Sequence, residues 1–418
     1  MHLVFINQYY PPDAAPTGMM LARVVDELSG RGHAVTVICA KGGYAGRKID
    51  DAKSGGERII RVGATSFGRG SFLGKLVDYL GFYLGVAWAL ASLSVGGSKP
   101  DRIVALTTPP YLSILARFFS KLHGADHAHW VMDLYPDVMV AHGMLKPGGL
   151  PDRVLGSLTR WGFGGERCAC VLSLGPDMAD RVGCYLEGGQ KCPWIPLWSS
   201  STIDVPDPER VSELRATRGW NDDELVLMYS GNMGLGHLFD EILSVARDCQ
   251  ATTDGIARRF VFYGGGKRRA EVERFLETRA EGPRAAVELH DYVDTDQLAL
   301  HLASADVHLV SLRPEWDGTM VPSKLQGVFA VGRPVIFIGS ETSSIGQWVI
   351  ESGAGWVVKP GDLEGLQQVI SEASRKEERD RRGGLARSYG IDYFSGNKNP
   401  QGVADEFISD PCDRSQSS

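Results

Sequence analysis

The chain has 418 residues, too many for one comfortable hydrophobic core, so two domains of about 200 residues are expected. With 43% hydrophobic and 23% charged residues it has the composition of an ordinary globular protein, which excludes disordered and fibrous classes. No nucleic-acid partner is expected, and seven scattered cysteines without paired Cys-x-x-Cys motifs argue against a zinc ribbon or a disulfide framework and for a reducing, cytoplasmic compartment.

The first segment, "HLVFINQYYPPDAAPTGMMLARVVDELSGRGHAVTVICAKGG", reads as a strand over Leu3–Asn7, a Pro-rich loop, a helix over about 18–29 and a strand over Ala34–Ala40. Met20, Val24, Val25 and Leu28 recur at helical spacing, and Gly30 and Gly32 end the helix. Strand, helix and strand in immediate succession make a βαβ unit and predict a parallel sheet. No basic segment precedes the first apolar run, so no signal peptide is expected.

Charge is uneven. The first 200 residues balance at +4 and the remainder at −11. Between Lys41 and Lys75 there are eight basic and three acidic residues, just ahead of the 19-residue uncharged run "YLGFYLGVAWALASLSVGG" (Tyr79–Gly97). A basic stretch beside an apolar one fits peripheral contact with an anionic membrane surface. It equally fits a solvated loop followed by a buried helix, and the length of the run also raises a membrane span. Apolar length alone does not separate the three.

Further strands are expected at Arg102–Leu106, Ala128–Met132 and Ala169–Leu174, with helical stretches between. Cys168-Ala169-Cys170 reads as part of a buried strand, since a free cysteine packs as a small hydrophobe. The division expected is a first α/β domain over 1–195, a Pro-, Ser- and charge-rich linker over 196–222, a second α/β domain over 223–385, and a C-terminal helix and polar tail over 386–418. In the second domain strands are expected at Leu225–Ser230, Arg259–Tyr263, Val287–Leu289, Val307–Ser311, Pro334–Ile338 and Gly355–Lys359. Helices fall at about 238–249, 267–279, 295–303, 322–330 and 362–375. Two doubly wound sheets with a cleft between the domains are predicted, with ligands at the C-terminal ends of the strands.

Three turns could carry chemistry. "YSGNMGLG" (Tyr229–Gly236) and "FYGGGKRR" (Phe262–Arg269) each follow a strand, and Pro322-Ser323-Lys324 opens a helix. Each brings backbone amides to the mouth of a helix, where an anion is favoured, and three at one sheet edge suit a nucleoside diphosphate. Glycine that merely closes tight βα turns is the plainer alternative. Neither a Gly-x-Gly-x-x-Gly after the first strand nor a Walker A sequence is present.

The string "SGNMG … YGGGKR … HDYVDTDQLALHLASADVHLVSL … VPSKLQGVFAVGRPVI" resembles the donor domain of the family 4 glycosyltransferases, which have the GT-B fold of two Rossmann-like domains. "NQYYPPDAAPTG", "TTPP" and "HWVMDLYPD" resemble the acceptor half of the branch that builds bacterial surface polysaccharides. The resemblance implies transfer of a sugar from a nucleotide-diphosphate donor of UDP or GDP type, with retention and with no metal or other cofactor. The implied acceptor is a lipid-linked or surface-polysaccharide precursor, with a soluble small molecule as the alternative. The implied place is the cytoplasm, including peripheral contact at the inner face of the membrane. A nucleotide-sugar epimerase or a non-catalytic scaffold of the same fold are the rivals from other classes.

By the same resemblance Gly231 and Gly234 lie near the donor sugar and phosphates, with Asn232 between them. Tyr292 and Val293 flank the base, Val321, Pro322, Ser323 and Lys324 meet the diphosphate, and Gly18 closes on it from the first domain. Two departures stand out. The two glutamates that many members keep eight positions apart correspond to Thr319 and Gly327, and the Arg/Lys pair that usually stabilises the leaving diphosphate is replaced by Asn232 and the region of His237. Lys324 is therefore the candidate cation, with Lys267 or Arg268 sharing the role, because charge developing on the leaving group must be stabilised. Asp133 is the candidate that accepts a hydrogen bond from the acceptor hydroxyl or acts as base. His129, Glu315 and Asp317 are candidate sugar or acceptor contacts. Asp294-Thr295-Asp296 mimics a metal-binding Asp-x-Asp, but at the start of a helical run it reads as a cap. His127 and His129 share a strand face with His123 nearby, and a metal would need three convergent ligands.

Overall fold

A computed structural model describes residues 1–13, 15–41, 56–63, 72–95, 98–188, 192–199, 205–248, 255–278 and 286–409. The chain forms two compact units. One comprises Met1–Pro196, Gly318–Met320 and Asn397–Ser418, the other Leu197–Asp317 and Val321–Gly396.

The first unit begins with β1 (His2–Ile6), α1 (Pro16–Gly30) and β2 (Ala34–Ala40), the βαβ start expected from the sequence. β3 (Arg58–Val62), α2 (Phe72–Val95), β4 (Arg102–Ala105), α3 (Leu112–His123) and β5 (Asp126–Trp130) follow. The short α4 (Asp137–Ala141), α5 (Leu150–Phe163), β6 (Cys168–Leu172) and α6 (Pro176–Gly183) complete the order. The six strands run parallel in the order β3-β2-β1-β4-β5-β6. Alternation along β1 assigns the two faces. Val4 and Ile6 pack with Phe82, Val86 and Leu90 of α2 and Ala116 and Phe119 of α3, while Phe5 turns to Phe407 on the other side.

The apolar run lies in α2, whose buried side presents Phe82, Val86, Leu90 and Leu93. Among the described residues no helix is long and apolar enough to cross a membrane. β3 was not expected, because it sits inside the basic stretch read as a loop. Arg58-Ile59-Ile60-Arg61-Val62 pairs only with β2 as an edge strand, so four of its five residues are less than fully buried and its pattern is weak. Most of the remaining basic stretch, and the tail after Ser409, lie outside the described residues.

The second unit opens with α7 (Pro208–Thr217), inside the stretch read as a linker. Asp207 caps it and its Arg215 pairs with Asp306 at 3.1 Å. It continues with β7 (Leu225–Ser230), α8 (Asp240–Asp248), β8 (Arg258–Tyr263), α9 (Arg269–Glu277) and β9 (Ala286–His290). After these come α10 (Leu298–Ala303), β10 (Val307–Ser311), α11 (Lys324–Ala330), β11 (Val335–Ile338), α12 (Ser344–Ser352), β12 (Gly355–Val358), α13 (Leu363–Ala373) and α14 (Lys376–Tyr393). α12 was not expected; Ser343 caps it. The final helix, α15 (Lys398–Ile408), belongs to the first unit, where the Phe407 carbonyl accepts from the buried Arg102 at 2.5 Å.

The second sheet is also parallel, in the order β12-β11-β10-β7-β8-β9. Leu225, Leu227 and Tyr229 face the larger core with Phe239, Ile242, Phe260 and Phe262; Val226 and Met228 face the smaller one with Trp220 and Val261. In both units the first strand pairs with both the second and the fourth. Strand order therefore reverses between β1 and β4 and between β7 and β10, and in open α/β sheets such switch points hold the ligand crevice.

Candidate functional site

In the second unit the crevice lies at that switch point. A pocket of about 190 Å³ is lined by Ser230 and Gly231 after β7, Tyr292 and Val293 after β9, and Ser323, Lys324 and Gly327 at α11, with β10 as its floor. The loops after β7 and β8 interlock through glycine. Gly231 has φ 133, and its carbonyl lies where a Cβ on Gly264 would be 2.2 Å away. Only a residue without a side chain at position 264 permits that approach, and the positive φ at 231 also favours glycine. Met233 N donates to the Gly265 carbonyl at 2.7 Å, and Arg268 N donates back to the Met233 carbonyl at 3.0 Å.

Lys324 is the first residue of α11 and turns its ammonium onto these loops. Nζ lies 4.0 Å from the centre of the Tyr229 ring and donates to the Tyr229 hydroxyl, to the Asn232 carbonyl at 3.3 Å and to Nε2 of His237 at 3.1 Å. Every one of these partners is neutral, and among the described residues no carboxylate pairs with this lysine. Burial holds its pKa well below the ordinary lysine value.

His237 is fixed by its other nitrogen. Nδ1 faces the Ser311 carbonyl at 2.5 Å, so the proton resides there and Nε2 is left as the acceptor for Lys324. Burial, then the charge of Lys324, pushes the pKa of His237 down to about 3. This ring is no second cation, although it occupies the region where the resemblance expects one. Arg268 is spent as well: it pairs with Glu271 at 2.7 Å and Asp240 at 3.2 Å and donates to the His237 carbonyl. Lys267 is exposed and outside the pocket lining.

Of the residues singled out from the sequence, Gly231, Tyr292, Val293, Ser323 and Lys324 line the pocket together. Asn232 contributes its carbonyl to Lys324, while Gly234 and the buried Val321 and Pro322 are not part of the lining. Glu315 is exposed and Asp317 half-buried, both outside the lining. Gly327 lines the pocket without a side chain, so no carboxylate stands at the position the resemblance reserves for one. The Asp294 side chain makes no cap hydrogen bond, because the segment opens with a 3₁₀ turn closed by Gln297 N on the Asp294 carbonyl. Tyr229 was missed; its signal is an aromatic residue two positions ahead of a glycine at a strand end.

The first unit carries a second, smaller pocket at its own strand ends, of about 20 Å³, between Thr107, Tyr111, His129, Asp133, Tyr135 and Phe163. The backbone amides of Met132 and Asp133 donate to Thr107 Oγ1 at 3.3 and 3.2 Å, which positions the carboxyl. Burial raises the pKa of Asp133 to about 6. His129 is fully buried between His127 and Phe163 and is kept neutral by burial. The side-chain ligand atoms of His127, His129 and Cys168 lie within 4.8 Å of one another, but His127 already uses Nδ1 with Ser120 and Nε2 with the Gly164 carbonyl. His123 stays apart and bonds the Leu90 carbonyl at 3.0 Å. Gly18 is buried in the first turn of α1 against the backbone of Tyr9, where a Cβ would meet it at 3.0 Å.

Two parallel six-stranded sheets, each doubly wound, are the GT-B architecture, and the chain is a glycosyltransferase. Residues 225–375 match the family model described as glycosyl transferases, group 1. The chain is 24% identical over 387 residues to WcaI of Escherichia coli (strain K12), described as a colanic acid biosynthesis glycosyl transferase; the match spans 89% of this chain and 92% of that one. It superposes on the crystal structure of WaaG, a glycosyltransferase involved in lipopolysaccharide biosynthesis, with TM-score 0.68 and 17% identity over 97% of this chain and 100% of that one. It superposes on Anabaena HepE in complex with UDP-glucose with TM-score 0.69 and 13% identity, over 97% and 98% of the two chains.

Proposed function

We propose that the chain moves a sugar from a nucleoside-diphosphate sugar, of UDP or GDP type, to an acceptor hydroxyl in the synthesis of a bacterial surface polysaccharide or glycolipid. The donor is held by the second unit and the acceptor by the first. The chemistry is that of family 4, with retention at the anomeric carbon and without a bound metal. The description of WcaI supports the pathway class, and the UDP-glucose complex of HepE supports the donor class. The acceptor is a lipid-linked precursor, met at the inner face of the membrane.

One observation carries this reading. Lys324 is an inward-turned ammonium with only neutral partners, beside a pocket at a strand-order switch. A charge without a counter-charge is costly, and a diphosphate placed there supplies the missing anion. As the sugar–phosphate bond breaks, charge grows on the diphosphate, and a cation held in place costs no reorganisation at that moment. The donor is therefore secured by Lys324 and the Ser323 hydroxyl, while Tyr292 and Val293 flank the base. Asp133 receives the acceptor hydroxyl through its carboxylate.

Thermal stability in the presence of UDP, GDP, dTDP, ADP or CMP, with and without magnesium, tests the donor half. A diphosphate at 100 times its Kd adds about 2.7 kcal/mol. Stabilisation of the wild type by one diphosphate without magnesium, absent in Lys324→Ala, supports the reading; no shift with any nucleotide overturns it. An epimerase would interconvert sugar nucleotides without releasing nucleotide, so release that depends on acceptor separates the two.

A further inference from the structure

The helices on one face of the first sheet have an outward side that a water-facing layer would not have. α2, α3 and α5 adjoin one another there: His123 of α3 bonds the Leu90 carbonyl of α2 at 3.0 Å, and Arg117 of α3 lies 4.6 Å over the Trp161 ring of α5. α2 buries Phe82, Val86 and Leu90 against the sheet yet exposes Val77, Leu80, Leu84 and Trp88, the last at 78%. Those four recur every three or four positions, which is one helix face. α5 does the same with Leu150, Val154, Leu158 and Trp161, and α3 adds Phe118 and Leu122. These three helices hold ten of the 19 exposed large apolar side chains among the described residues, so the patch is not the usual scatter.

Charge around the patch has one prevailing sign. Between Asp78 and Lys99 the chain carries none. On α3, α5 and the turn that follows, five cations (Arg117, Lys121, Arg153, Arg160 and Arg167) stand against Asp152 and Glu166. Four of the five sit next in sequence to an exposed apolar residue, at Phe118, Leu122, Val154 and Trp161. Arg117, Lys121 and Arg167 also line, together with Glu166, one pocket of about 400 Å³ at the end of α3, where Arg167 pairs with Asp126 at 3.9 Å and leaves Arg117 and Lys121 as the excess charge. A second copy of the chain docked by a two-fold axis would set these cations against one another.

We propose that the outward face of α2, α3 and α5 docks on a lipid bilayer containing anionic headgroups. The apolar ridge enters the acyl boundary, Trp88 and Trp161 settle at the headgroup level, and the flanking arginines and Lys121 reach the lipid phosphates. With no helix both long and apolar enough to span among the described residues, the protein lies on the surface. The proposal extends the lipid-linked-acceptor reading, and its test is separate from that one because it needs no donor.

Full-length protein is floated with vesicles of pure phosphatidylcholine and with vesicles containing phosphatidylglycerol, at low and high salt. Binding to the anionic vesicles, weakened by salt and reduced about tenfold in Leu84→Glu/Trp88→Glu, is expected. Lys121→Glu/Arg160→Glu should lose the preference for anionic vesicles while retaining the wild-type melting temperature. A melting temperature and nucleotide response unchanged in both variants exclude misfolding as the cause. Absence of binding at low salt overturns the proposal. So does wild-type binding and salt dependence in both variants, or a dimer in light scattering that Leu84→Glu/Trp88→Glu dissolves in the absence of vesicle binding.

Discussion

Nζ of Lys324 sits 3.1 Å from Nε2 of His237, a ring that burial keeps neutral and that the Ser311 carbonyl holds in a single tautomer. The lysine is thus oriented without being neutralised. Its charge remains available to a ligand, which a carboxylate in the place of His237 would have prevented.

Lys324→Met should raise the melting temperature of the nucleotide-free protein while abolishing stabilisation by a diphosphate. The native state holds this proton less tightly than the unfolded chain does, so stability is lost as pH falls below the ordinary lysine value and that cost persists at pH 7. Replacing this half-buried ammonium, which has only neutral partners among the described residues, with an apolar side chain removes that cost. Binding a diphosphate favours the protonated lysine, so wild-type affinity should fall as pH rises above the lowered pKa, as titration calorimetry in two buffers would show. A Met variant less stable than wild type would contradict this account.

His237→Phe keeps an aromatic ring but removes the acceptor that aims Lys324. One hydrogen bond to a charged group is worth roughly 1.5–3 kcal/mol, so donor affinity should fall by about tenfold or more. His237→Gln should recover part of it, because its amide oxygen restores an acceptor. Equal affinities for the two variants in a competition assay with labelled nucleotide would refute the positioning role.

Gly231→Ala should damage the pocket twice. Its Cβ would stand 2.7 Å from Cε of Lys324, and φ 133 is a conformation that alanine rarely adopts. A loss of about 1–3 kcal/mol in chemical denaturation is expected, together with weakened nucleotide binding. Gly30→Ala, in α1 at a site with nothing within 4 Å, serves as the control and should leave nucleotide binding unchanged without lowering stability.

Asp133→Asn should be more stable than wild type at pH 7 by up to about 3 kcal/mol. The folded pKa of about 6 lies above the unfolded value near 3.8, so the native state bears the full cost of ionisation above pH 6. That cost fades as pH falls from 6 toward 3.8, where the two melting curves should converge. In the transfer reaction the wild-type kcat/KM should decline as pH drops through about 6, and the Asn variant should be severely slowed at every pH. An Asn variant with wild-type rates would remove Asp133 from the chemistry.

The strands were readable because parallel strands covered on both sides are nearly continuous apolar runs, as in "LVLMYS" and "VIFI". β3 escaped because an edge strand rich in arginine lacks that run, and α12 because it follows its strand through a short Ser/Thr loop. At the site, the proposed phosphate-facing role of Lys324 could be argued from its place at the mouth of a helix beside two glycine turns.

Fold class was legible in the residues alone, since periodicity and glycine punctuation act through local backbone preferences. The residues also marked which loops meet at one sheet edge, because a parallel βαβ winding brings alternate loops to the same end. Only the tertiary structure decided which charges are free. That Arg268 is consumed by Glu271 and Asp240, that His237 is neutral, and that Lys324 has no counter-charge among the described residues follow from burial and from partners up to 95 residues away in the chain. The apolar outer face of α2 is likewise tertiary: a uniformly apolar helix does not announce which side the sheet will cover, and here packing leaves Leu84 and Trp88 outside.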